Sequence, residues 1–136
     1  MSQRMTTEPL DVDDLLAEAD GDFDGLPQGT TVGHVHLRVR DVEEAVRFYR
    51  DVLGFDVTAQ LGPAAAFLSA GGYHHHIGAN VWESRGASPP PAGSAALRRF
   101  TIVLPGRDEL ERVANRLGGV EAVDPSGNPV VLTAGI

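Results

Sequence analysis

The strictest alternation of apolar and polar residues in this chain is VGHVHLRVRD, residues 32–41. Val35, Leu37 and Val39 fall on one side and His34, His36 and Arg38 on the other, the period of two expected of a half-buried strand. The period then changes. Val42, Ala45, Val46, Tyr49, Val52 and Leu53 recur at helical spacing. Asp41 stands before them as N-cap, Glu44 completes a capping box, and Gly54 stops the helix. Three strand-like runs follow, FDVTAQL, AAAFLSA and HHHIGANVW, with turns at Gly62-Pro63 and Gly71-Gly72.

After SRGASPPPAGSA, a Pro/Gly/Ser/Ala linker, the order begins again. LRRFTIVLP predicts a strand. Asp108, with Glu111 behind it, is the expected cap of a second helix carrying Leu110, Val113, Ala114 and Leu117, and Gly118-Gly119 ends it. VEAVDPSGNPVVLTAG predicts a hairpin around DPSGN. The chain therefore contains a degenerate internal repeat. Four segments are expected: an acidic arm or linker at 1–30, a β-α-β-β-β module at 31–84, the linker at 85–95, and a second, shortened module at 96–136. The fold class is α+β, two paired modules forming a curved sheet around a cavity with helices outside.

Composition narrows the function classes. The net charge of −8 argues against a nucleic-acid partner, which needs a basic stripe. No apolar run reaches the roughly 18–20 residues of a membrane span. The N-terminus shows no basic-then-apolar leader pattern. With no cysteine, disulfides and thiolate ligands are excluded. A cytoplasmic protein is expected.

The five histidines fall in two clusters, His34 with His36 and His74-His75-His76. Imidazole suits Fe, Zn, Ni and Cu, provided several rings converge. Along the first strand His34 and His36 share a face. In HHHIGANVW the parity of Ile77 and Val81 includes His75, and the opposite face carries His74, His76, Asn80 and Trp82. Parity thus favours His76 over His75 as the partner of His34. No nucleophile motif of the GxSxG type and no phosphate loop is present.

GHVHLRVRDVEEAVRFYRDVLGF, FLSAGGYHHHIGANVW and DPSGNPVVL together resemble the vicinal oxygen chelate superfamily of glyoxalases, bleomycin-resistance proteins and extradiol dioxygenases. The middle stretch resembles the C-terminal half of catechol-2,3-dioxygenase-like proteins, and EPLDVDDLL…GLPQGT resembles the linker between their halves. The resemblance implies a metal-dependent ring-cleaving dioxygenase acting on a small aromatic or vicinal-oxygen substrate. It implies a divalent metal, Fe(II) first and Mn(II) or Zn(II) as alternatives, and a homodimer. A metal-free binding protein and a half-subunit needing a separate N-terminal half are the alternatives. Carried over, the first-strand ligand falls on His34 and the proton-moving histidine on His75 or His76. Two positions depart from the pattern, Arg99 on the second module's first strand and Val131 on its last. The metal candidates are His34, His76 and His74. The catalytic candidates are His75, His36 and Tyr73, the last as a donor to a substrate oxygen. Asn80, Trp82 and Arg99 are the candidates for binding substrate, Arg99 toward an anionic group.

Overall fold

The computed structural model describes residues 8–19 and 21–135; residues 1–7 and 20, part of the expected arm, and residue 136 lie outside the described residues. Helix α1, Val12–Ala17, is capped by the Asp11 side chain, which accepts from the Asp14 amide. It buries none of its residues. The alternating run becomes β1, Val35–Arg38, with Leu37 and Val39 buried and His36 and Arg38 exposed.

Helix α2, Val42–Val46, starts where the capping box places it, the Asp41 carboxylate accepting from the Glu44 amide at 2.9 Å. It then widens into π-helical turns over Arg47–Val52 and ends at Gly54 with a φ of 90°. Strands β2, Asp56–Leu61, β3, Ala65–Ser69, and β4, Ile77–Asn80, complete the first module. Its sheet runs β1-β4-β3-β2, parallel between β1 and β4 and antiparallel elsewhere.

The second module is β5, Phe100–Leu104, α3, Arg107–Leu117, β6, Glu121–Val123, and β7, Pro129–Ala134. It forms a three-stranded sheet in the order β5-β7-β6, one strand fewer than the first. The chain is therefore α+β with two small mixed sheets that do not close into a barrel. One expected detail differs. Helix α3 begins after Gly106 and has no side-chain cap, so Asp108 sits inside its first turn. There its charge still favours the positive end of the helix dipole.

The modules share a single core. Leu37, Val39, Val42, Ala45, Tyr49, Leu68 and Ile77 of the first pack with Val113, Val130 and Leu132 of the second. A buried polar link crosses this core. The Tyr49 hydroxyl donates to Asp124 Oδ2 at 2.9 Å, and burial together with that carboxylate raises the phenol well above its ordinary range. Asp124 also accepts from the amides of Ser126 and Asn128 and from the Asn128 side chain. DPSGN is thus more than a reversal of direction, because its aspartate anchors the second module's loop on the first module's helix. Arg116 on α3 adds a second tie, donating from Nε to the Val52 carbonyl at the end of the π-helical turns.

Candidate metal centre

Strands β1 and β4 lie side by side and parallel, with Val35 opposite Ile77 and His36 opposite Gly78. The start of β1 and the approach to β4 therefore meet at one end of the sheet, and both carry histidines. Ring nitrogens of His34, His36 and His75 all lie within 4.8 Å of one another, close enough for one ion to draw them together. The rings of His34 and His75 are 4.5 Å apart, and each is 5.2 Å from that of His36. His36 Nε2 lies 3.1 Å from His75 Nε2, a hydrogen bond in which one nitrogen donates and the other accepts.

His75 is the buried member, 5% exposed, and its Nδ1 makes no hydrogen bond among the described residues. An unpartnered buried polar atom costs about 1–3 kcal/mol. An ion drawing on these rings would relieve that cost, so the donor set fits a metal on the structure's own terms. Its protonation fits as well. Burial first, and then the charges of His34, His74, His36 and His76, push His75 down to about 4. Burial and His34 also lower His36. Both rings present lone pairs at neutral pH, the form a metal requires. All three donors are imidazoles, with no carboxylate in the set.

The placement differs from strand parity in one respect. Regular strand begins only at Ile77, and the chain bends at His74 and at His76. Face alternation holds within extended chain and lapses at a bend, so parity counted back from Ile77 misplaces these residues. His75 turns toward His34 and His36. His76 lies 4.8 Å from the Tyr73 ring and 6.2 Å from Phe55, and its Nδ1 accepts from the Ala70 amide at 3.2 Å. His74 stays at the rim, its ring 4.6 Å from His75 and 6.0 Å from His34. Tyr73 stands outside it at 4.1 Å and is 42% exposed.

The remaining candidates scatter. Asn80 is buried two residues along β4 from Gly78, and its Oδ1 accepts from the Trp82 amide. The Trp82 ring is exposed beyond the strand end. Arg99 lines a shallow groove of about 260 Å³ with Arg98, Glu121, Val123, Pro129 and Val131, on the second sheet and without a histidine. A larger open groove of about 620 Å³, lined by Arg40, Glu44, Arg47, Phe48, Asp51, Val52 and Pro125, has none either. The histidine centre is instead on an open sheet face, with His34 and His36 exposed. Phe67 on β3, 5.1 Å from His75, supplies an apolar floor. Sequence reading overlooked Gly78, which shares a rung with both His36 and Phe67. A glycine inside a short apolar strand was the available sign.

Comparison with known proteins adds an independent line. Residues 31–131 match the family described as Glyoxalase/Bleomycin resistance protein/Dioxygenase superfamily. Catechol-2,3-dioxygenase of Bacillus subtilis (strain 168) is 50% identical over 115 residues, which are 83% of this chain and 40% of that protein. The chain thus spans well under half the length of the curated relative it matches. Among solved structures, lactoylglutathione lyase from Agrobacterium tumefaciens superposes with a TM-score of 0.58 at 17% identity, covering 80% of this chain and 96% of that one. A glyoxalase/dioxygenase from Nostoc punctiforme gives 0.58 at 16% identity, covering 85% and 99%. At such identities the superpositions speak for the fold alone.

Proposed function

Because the chain belongs to the glyoxalase/bleomycin resistance protein/dioxygenase superfamily, we propose that it is a metal-dependent enzyme of the catechol ring-cleaving kind, with His34, His36 and His75 holding the ion. The observation that carries the proposal is the meeting of three imidazoles around the unpartnered Nδ1 of His75. The 50% identity to a catechol-2,3-dioxygenase supports the choice of substrate class. Fe(II) is the proposed ion, with Mn(II) or Zn(II) as alternatives; imidazole donors suit iron and zinc.

When bound, such an ion supplies Lewis acidity toward two neighbouring substrate oxygens. The protein's own groups supply the rest. His36 and His75, kept neutral by burial and by neighbouring imidazoles, hold their lone pairs ready at neutral pH. His74 stands edge-on to His75 and outside the ligand set, placed to accept a proton from a catechol hydroxyl. Tyr73, beside His74, has a hydroxyl available to donate to a substrate oxygen. Phe67 offers a flat apolar surface to the aromatic ring. Asn80 and Trp82 lie farther along the same end of the molecule and are proposed to contact substituents. Arg99, on the other sheet, has no role in this site within one chain.

The chain's 40% coverage of its relative favours a second reading, a half-subunit completed by a separate N-terminal half. In either case the exposed histidine face is covered in the working assembly, by a second copy or by that half. The test is oxygen uptake by anaerobically Fe(II)-loaded protein given catechol. Uptake of one dioxygen per catechol, lost in His75→Ala, is the expected result. Bound iron without uptake, and uptake restored by the N-terminal part of the Bacillus relative, would select the half-subunit reading instead.

A further inference from the structure

On one rung of the first sheet, Phe67 of β3, Gly78 of β4 and His36 of β1 are direct neighbours. Strands lie about 4.8 Å apart, so the two outer backbones of this rung are separated by roughly 9.6 Å. Yet the rings of Phe67 and His36 are only 6.1 Å apart. Both lean over the middle position, which has no side chain. The His75 ring completes a triangle with them, 5.1 Å from Phe67 and 5.2 Å from His36.

A Cβ built on Gly78 would meet His36 Cε1 and Nδ1 at 3.0 Å and Cγ at 3.2 Å, and these are its three nearest contacts. Backbone conformation gives no reason for the glycine, because Gly78 is not among the residues with positive φ and pairs regularly on both sides. Glycine inside a strand ordinarily weakens it, and it persists where something must approach closely. Here the approaching group is the His36 imidazole.

We infer that Gly78 is a positioning residue for the metal centre: its bare rung is the seat that lets His36 lie across β4 and reach His75. The inference rests on the reading of His34, His36 and His75 as the ligand set. Ligand placement at a metal centre tolerates displacements of only about half an ångström. A methyl group under the ring lifts it by a comparable amount.

The test is Gly78→Ala, alone and in a His36→Ala background. Two readouts are used: Zn(II) affinity by titration, and ring-to-ring nuclear Overhauser contacts in the metal-free protein. The expected single variant keeps a melting temperature close to wild type and loses the His36–His75 and His36–Phe67 ring contacts. It binds Zn(II) about 10–100-fold more weakly, the loss typical when a group supporting a ligand is changed. In the His36→Ala background the same substitution leaves affinity unchanged, because the ring it displaces is gone. Retained ring contacts with wild-type affinity would overturn the inference, as would an equal affinity loss in both backgrounds. If Gly78→Ala does not fold, a folded Gly78→Ala/His36→Ala double variant sustains the inference, and an unfolded one overturns it. If wild-type protein binds no Zn(II), the ligand-set reading fails by itself, and the ring contacts still decide whether Gly78 seats His36.

Discussion

His75 shows how one residue's surroundings set its chemistry. Its ring is buried, touches three other histidines and Phe67, and titrates at about 4 rather than its ordinary 6.5. A lowered histidine value means that the folded state resists a proton the unfolded chain accepts. The stability of the metal-free protein is therefore insensitive to this group above pH 6.5 and falls as pH drops from 6.5 to about 4. The full difference is about 3 kcal/mol at the acid end. Urea denaturation at several pH values checks this, and His75→Gln should flatten that limb. Equal acid limbs in the two proteins would show that the neutral, buried ring is not what the acid transition reports. The sequence makes the two histidine clusters plain and the common face of His34 and His36 plain. It leaves open which member of the triple joins them, because two bends next to the strand erase the parity on which such a choice depends.

At the level of elements, the capping box at Asp41, the stop at Gly54 and the three strands between Phe55 and Trp82 follow from local patterning, and local chemistry is enough to place them. The π-helical widening over Arg47–Val52 is not visible in that pattern, because apolar spacing alone does not separate it from ordinary helix. Nor does DPSGN announce its partner. Tyr49 and Asp124 are far apart in sequence, and only the packing of the modules brings them together. Tyr49→Phe removes the hydroxyl but leaves Asp124 its three donors from the loop, so a loss of about 1 kcal/mol is expected. Asp124→Ala strands two loop amides and the Tyr49 hydroxyl together, and a loss of about 2–4 kcal/mol is expected. Equilibrium denaturation of the two variants measures both. Equal losses would mean that the loop anchor and the link between modules are not separate contributions.

For the whole molecule, the repeat visible in the sequence becomes two sheets on one core, the second a strand short. The expected enclosure is not reached by one chain. The histidines occupy an open face of the first sheet, while Arg99 and Val131 line a groove of the second. Where the second module departs from its relatives' pattern, the first supplies three imidazoles from its own strands. The central claim is that this compact set is a metal centre. The most direct test is the metal content of tag-free protein after anaerobic loading with Fe(II), for the wild type and for His34→Ala, His36→Ala, His75→Ala and His76→Ala. The account predicts close to one ion per chain in the wild type and in His76→Ala, and its loss in the other three. No bound ion in the wild type, or an ion that survives His75→Ala but leaves with His76→Ala, would contradict it.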